Sequence, residues 1–117
     1  MKVFEIWSWQ PPHWKEAHPA VIVSHPDRAA GKDMVEILMC STQRATRAPR
    51  NHEFILDQAE GLDWPTLCKC DLIWAVPREE LKQHRGVVSF TRRGPLVRTM
   101  IGAHGWDDIL SWAAVRA

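Results

Sequence analysis

Two segments of this 117-residue chain combine an apolar run with polar side chains suited to phosphate chemistry. The first, residues 17–24, reads Ala-His-Pro-Ala-Val-Ile-Val-Ser and has His18 near its start. The second, residues 35–43, ends in hydroxyl and amide groups, and a basic stretch without an acid follows it: Ser41, Thr42 and Gln43, then Arg44, Arg47 and Arg50. If the two segments lie side by side as strands, these groups converge and can bind a phosphate.

Cleavage of RNA without a metal ion needs only such groups. The ribose 2′-hydroxyl attacks its own phosphate, a general base takes the proton, and an acid protonates the leaving oxygen. Histidine changes its charge near neutral pH, so His18 suits the acid–base role. Ser41, Thr42 and Gln43 can donate hydrogen bonds to the phosphate, and Arg44 or Arg47 can neutralise its charge. Taken alone, His18 is equally well read as a strand-end histidine without a role.

A proline-rich loop precedes His18 and carries an indole. It reads Gln-Pro-Pro-His-Trp-Lys over residues 10–15, and its Trp14 is one of seven tryptophans in the chain. An indole beside His13 and Lys15 could stack on an unpaired base. It could equally pin the loop to the rest of the protein, and the sequence does not separate the two.

Two other chemistries fit the residues poorly. Cys68 and Cys70 share one face of a predicted strand, and Cys40 could join them. Structural zinc sites, however, usually have two to four residues between such cysteines, in a turn, whereas only Lys69 separates these two. We therefore expect packing thiols, with no metal and no cofactor. A Ser-His-Asp hydrolase built from Ser41, His18 and Asp71 lacks any sign that the serine occupies a strained strand-to-helix turn.

Composition and charge limit the remaining classes. The length suits one domain over residues 1–117, and a net charge of +1 does not describe a polybasic protein, although residues 78–98 are rich in arginine and lysine. No apolar run approaches the roughly 20 residues that span a bilayer, and Glu5 comes too early for a signal peptide. The odd number of cysteines favours a reducing cytoplasm, and we expect no membrane partner.

Short β-rich segments separated by turn signals predict the fold. Strands are expected at residues 3–9, 19–24, 34–42, 52–58, 66–76 and 86–90, followed by a helix from about 91 to 104 and a short helix capped by Asp107. This order predicts a mainly β fold with a C-terminal helix, arranged as a small closed barrel. The expected core comprises Ile6, Val21, Val23, Ile37, Met39, Leu67 and Ile73.

Several of these segments resemble the MazF/PemK family of toxin–antitoxin systems. Residues 4–7 (Phe-Glu-Ile-Trp) resemble its opening Gly-acid-Ile/Val-Trp strand, and residues 18–24 resemble its Arg-Pro-Ala-Val-Val-Leu-Ser strand. Residues 39–43 (Met-Cys-Ser-Thr-Gln) resemble a strand ending in Ile-Thr/Ser-x-Gln, and residues 71–81 resemble Glu/Asp-Gln-Ile-Arg-Thr-Ile-Asp-Lys-x-x-Leu. The resemblance covers residues 3–103 and leaves 104–117 as a tail.

The resemblance implies an SH3-like barrel, usually a homodimer, that cleaves single-stranded RNA without metal and is inhibited by an antitoxin peptide. The family's catalytic arginine falls on His18, its catalytic threonine or serine on Ser41, and an arginine of its fifth strand on Trp74. Histidine lacks the fixed charge and the two-pronged geometry of arginine. A catalytically silent barrel that binds nucleic acid or a protein partner is therefore the alternative.

Overall fold

Six antiparallel strands form one sheet in a computed structural model that describes residues 1–116. Ala117, the last residue of the expected domain and tail, lies outside the described residues. The strands are β1 (Glu5–Trp9), β2 (His18–Ile22), β3 (Met34–Cys40), β4 (Glu53–Leu56), β5 (Thr66–Pro77) and β6 (Leu81–Val87). The helices are α1 (Pro26–Gly31), α2 (Phe90–His104) and α3 (Trp106–Ala113), and single 3-10 turns occupy Gln58–Glu60 and Arg78–Glu80.

The sheet curls without closing into a barrel. Its order is β4-β5-β3-β2-β1-β6, so β4 and β6 are the two edges and do not pair with each other. The edges nevertheless come close, because a Cβ atom on Gly86 in β6 would collide with the carbonyl oxygen of Glu60 in the turn after β4. Only a glycine allows this approach. The mainly β, small barrel-like fold with a C-terminal helix is confirmed, whereas full closure of the sheet is wrong for the described residues.

Two apolar clusters pack on the two faces of the sheet. Side chains of β2 alternate between them: Val21 joins Leu38, Leu56 and the α2 residue Leu96, whereas Ala20 and Ile22 join the other cluster. Of the expected core, Ile6, Val21, Ile37 and Leu67 are buried, while Val23, Met39 and Ile73 are only partly buried. The predicted β-sheet core is therefore right for four of its residues, and the other three lie only partly buried at its border.

The edge strand β6 differs most from its predicted position. Residues 81–87 pair with β1, from Trp9 opposite Leu81 to Glu5 opposite Val87, although the sequence placed this strand at residues 86–90. The segment Lys-Gln-His-Arg in its middle has no apolar alternation, because an edge strand exposes much of its surface. Phe90 instead begins α2.

The helices are otherwise close to expectation. Gly105 ends α2 with a φ of 64°, in the left-handed region, and α3 begins directly after it, two residues earlier than a cap at Asp107 would place it. At α1 the sequence indicates only turn signals, at residues 25–27 and 31–33, whereas the structure has a short helix over Pro26–Gly31. No helix within residues 1–116 has the length and apolar character needed to cross a membrane.

Candidate active site

His18 and Ser41 are brought together by the antiparallel pairing of β2 and β3. Ala20 lies opposite Met39, so the start of β2 meets the end of β3. The imidazole Nδ1 of His18 lies 3.1 Å from the carbonyl oxygen of Cys40, the residue before Ser41. A carbonyl oxygen only accepts hydrogen bonds, so Nδ1 must carry the hydrogen. In the neutral ring the lone pair is then on Nε2, the nitrogen that can act as a base.

The Ser41 segment is held in place by a buried threonine of β5. The hydroxyl of Thr66 donates to the carbonyl oxygen of Ser41 at 2.8 Å and lies 3.4 Å from that of Gln43. The Ser41 amide donates to the Leu67 carbonyl at 2.9 Å, and the Ser41 hydroxyl oxygen accepts from the Gln43 amide at 3.1 Å. Ser41 therefore sits in a short turn that is fixed on both sides, with its hydroxyl hydrogen free to donate.

A small pocket opens beside this turn, and we call it the Ser41 pocket. Its volume is about 180 Å³, and it is lined by Ala17, Pro19, Ser41, Thr42, Leu62, Asp63, Trp64, Thr66 and Arg85. His18 is not among these residues. Its neighbours Ala17 and Pro19 face the pocket, and alternate side chains of a strand point to opposite faces of the sheet. His18 and Ser41 are thus adjacent through the Cys40 backbone, although the imidazole does not line the Ser41 pocket.

The two arginines expected to bind phosphate have different surroundings. Arg44 lies over the Trp64 ring, 5.9 Å from its centroid, and borders a wide groove of about 710 Å³ with Glu16, Thr42 and Gln43. Arg44 has no carboxylate partner within residues 1–116. Of the two arginines expected from the sequence, Arg44 is therefore the one available to an incoming phosphate.

Arg47 is already bound to a buried carboxylate. Its guanidinium donates to both oxygens of Glu53, at 2.6 and 2.9 Å, and Lys69 also contacts that carboxylate. These hydrogen bonds, the Arg47 pair foremost, hold the pKa of Glu53 well below its usual range. Arg47 is placed as a structural cation, and its role toward RNA stays a prediction.

The loop before His18 packs on an aromatic series. The Trp14 ring lies edge-on to His18 with centroids 5.1 Å apart, and it is 5.2 Å from Trp9, which is 5.4 Å from Trp74. Trp14 is thus pinned to the sheet, yet 37% of its surface remains exposed. His13 is exposed with a φ of 74° in the left-handed region.

The cysteines cluster as packing residues. Cys40, Cys68 and Cys70 are fully buried, and hydrogen bonding with Cys40 and Cys70, together with burial, raises the pKa of the Cys68 thiol. Across residues 1–116 no three histidine, cysteine or acidic side chains stand close enough to hold a metal ion together.

Sequence reasoning missed Arg85 and Trp64 as neighbours of Ser41. Arg85 comes from the edge strand β6, and Trp64 from the turn before β5. The basic character of residues 78–98 was visible, but nothing in the sequence singles out one arginine there, since only the curl of the sheet brings β6 toward the end of β3.

Comparisons with known proteins are informative at the level of structure. Neither a protein-family model nor a curated protein sequence matches the chain. The Mycobacterium tuberculosis toxin MazF-mt6 superposes with a TM-score of 0.73 at 20% identity, over 86% of this chain and 96% of the toxin. An endoribonuclease from Mycobacterial species, solved in complex with its cognate antitoxin, gives a TM-score of 0.75 at 18% identity, over 90% of this chain and 95% of that protein. The chain therefore has the fold of the MazF toxins.

Proposed function

We propose that this chain is a MazF-type toxin that cleaves single-stranded RNA as an endoribonuclease. The observation that carries the proposal is the hydrogen bond between His18 Nδ1 and the Cys40 carbonyl. It fixes an imidazole beside Ser41 at the paired ends of β2 and β3, in the fold of proteins described as toxins and endoribonucleases. The resemblance of residues 18–24 and 39–43 to the family's catalytic strands supports the same assignment.

The proposed reaction is an intramolecular transesterification that needs no metal ion. His18 Nε2 takes the proton of the ribose 2′-hydroxyl, and the 2′ oxygen forms a bond to the adjacent phosphorus. The bond from phosphorus to the 5′ oxygen breaks, and the His18 imidazolium returns a proton to that oxygen. The products are a 2′,3′-cyclic phosphate and a free 5′-hydroxyl.

The end of β3 and the loop after it position the phosphate in this scheme. The Ser41 hydroxyl accepts from the Gln43 amide and so can direct its own hydrogen at a phosphoryl oxygen. Thr42 and the Gln43 side chain border the adjoining groove, where Arg44 adds positive charge. The exposed part of Trp14 and the exposed His13 are proposed to hold an unstacked base before the cut site.

Two protein partners belong to the proposal. One is a cognate antitoxin, since a protein of the same fold has been solved with one. The other is a second copy of the chain, because α3 and the residues after it expose Ile109, Leu110, Trp112 and Val115. Sedimentation of the wild type at micromolar concentration should show a dimer, and Leu110→Glu with Trp112→Glu should shift it to a monomer. Cleavage of cellular RNA would take place in the cytoplasm.

The purified chain tests the proposal directly. It should cleave a pool of single-stranded RNA in EDTA, and a 2′-deoxy substitution at the mapped cut site should abolish that cut because it removes the nucleophile. A mock preparation from cells that lack the gene, purified in parallel, controls for contaminating ribonucleases. If no concentration of wild type cleaves any RNA, the silent barrel that binds nucleic acid or a protein becomes the better description.

A further inference from the structure

Arg85 is a mostly buried arginine whose hydrogen-bonding capacity is nearly unused. Its side chain is 21% exposed, and its two contacts are both at 3.5 Å, to Asp63 Oδ2 and to Ser8 Oγ. A guanidinium has five N–H donors, so most of them lack a close partner. By contrast, Arg47 and Arg92 each make a contact of 2.6 Å to a buried carboxylate.

The groups around Arg85 are those of an anion site. It lines the Ser41 pocket with the hydroxyl residues Ser41, Thr42 and Thr66, and the one carboxylate lining that pocket belongs to Asp63. Asp63 is 73% exposed, so it can swing into water when another anion approaches. A water molecule takes about 30 Å³ of liquid, so about 180 Å³ corresponds to about six waters, which is enough for a phosphate group.

We propose that the Ser41 pocket binds one phosphodiester group of RNA, with Arg85 as the residue that holds its negative charge. The inference rests on the proposed function and deepens it. Arg85 supplies a permanent guanidinium from β6 to the pocket that Ser41 also lines.

The Asp63 carboxylate lies close enough to Arg85 to compete with a bound phosphate for its guanidinium. In the absence of RNA, Asp63 provides a weak partner for Arg85 at the mouth of the pocket. A bound phosphate would replace it and would be repelled by its charge. Removing that charge should therefore strengthen anion binding, whereas removing the Arg85 charge should weaken it.

Binding of a single-stranded DNA oligomer, which has no 2′-hydroxyl to react, tests the site apart from catalysis. Arg85→Gln should weaken binding about tenfold or more, and Arg98→Gln should change it less than twofold, although both remove one positive charge. Arg98 is an exposed residue of α2 and serves as the matched control. The dependence of log Kd on log salt should become shallower by about 0.7 in Arg85→Gln alone, since one phosphate contact is lost. Unchanged affinity and slope in a folded Arg85→Gln protein would overturn the inference.

A second variant keeps the test decisive if Arg85→Gln does not fold. Asp63→Asn alters an exposed side chain and should tighten oligomer binding about twofold to fivefold, the range of a surface ion pair; no change would count against the site. Inorganic phosphate should compete with the oligomer for this pocket.

The proposed function and the Arg85 site can fail independently. If wild type cleaves RNA and Arg85→Gln cleaves equally fast, the function stands and the Arg85 site is wrong. If wild type cleaves no RNA but its DNA binding depends on Arg85, the Arg85 site stands and the proposed function fails.

Discussion

The Nδ1 nitrogen of His18 and the carbonyl oxygen of Cys40 lie 3.1 Å apart, and this single contact links the two strand ends that carry the proposed chemistry. The contact selects the tautomer, because the carbonyl can only accept. It also joins the proposed acid–base group to Ser41 through one residue of backbone. The Trp14 ring packs against the same imidazole in a T-shaped contact, so the orientation of His18 is set from two directions.

Removing the imidazole should remove most of the activity. His18→Ala is expected to lower the single-turnover rate of RNA cleavage about 100-fold or more, because general acid–base catalysis contributes at that scale. His25→Ala is the matched control, since His25 is exposed in front of α1 and follows the end of β2 opposite to His18. Equal rates for His18→Ala and wild type would show that another group carries the proton.

The Thr66 hydroxyl should matter for both stability and rate, because it donates its hydrogen to the Ser41 carbonyl and so fixes the turn that carries Ser41. Thr66→Val keeps the shape of the side chain but leaves the Ser41 carbonyl without its 2.8 Å hydrogen bond. The free energy of unfolding, measured in urea, should fall by about 1–3 kcal/mol, the cost of an unpaired buried group. The cleavage rate should fall as well, because the turn that orients Ser41 is loosened.

Thr99→Val provides the comparison for that variant. The Thr99 hydroxyl bonds the Pro95 carbonyl within α2, away from the Ser41 turn. Its loss should leave the cleavage rate unchanged. If Thr66→Val also retains the wild-type rate, the threonine has only a structural role.

A strand can be predicted from the sequence when it has an apolar pattern of its own, and cannot when only pairing with its neighbours defines it. The strands β2 and β3 have apolar patterns of their own, and so the pairing of His18 with the Ser41 segment could be anticipated. The edge strand β6 is defined by its pairing with β1, and the polar residues in its middle give no strand pattern in the sequence. Arg85 lies in that strand. The salt bridge between Arg47 and Glu53 could not be predicted from the sequence either, because the burial of the Glu53 carboxylate depends on the folded sheet.

Gly86 should tolerate no side chain, because its position is where the two edges of the sheet approach each other. Gly86→Ala would drive a Cβ atom into the Glu60 carbonyl and the backbone must shift, so we expect a loss of about 1–3 kcal/mol of unfolding free energy. Gly102→Ala is the control within α2, where a Cβ atom meets no neighbour within 4 Å. That variant should be more stable than wild type by about 0.5–1 kcal/mol, since alanine is the better helix former. Thermal melts of the two variants should therefore move in opposite directions.

Acid should destabilise the protein through its bound carboxylates. Hydrogen bonds from Arg47 lower the pKa of Glu53, and those from Arg92 lower that of Asp57. A carboxyl whose pKa is lower in the folded state binds fewer protons there than when unfolded, so its stabilisation is complete above the unfolded pKa of about 4 and is lost as the pH falls toward the folded pKa. The contribution of these two carboxylates to the unfolding free energy should thus be constant from pH 7 to about pH 5 and should decline below about pH 4.

Glu53→Gln isolates the larger part of this effect. The amide cannot bind both Arg47 and Lys69 as the carboxylate does, and the variant should lose about 1–3 kcal/mol at pH 7. Its unfolding free energy should decline less steeply with acid than that of wild type. The plots of unfolding free energy against pH for the two proteins should therefore approach each other as the pH drops. Glu79→Gln, at an exposed position between β5 and β6, should follow the wild-type curve throughout. Parallel curves for Glu53→Gln and wild type, measured by urea unfolding from pH 7 to pH 3, would show that Glu53 does not control the acid stability.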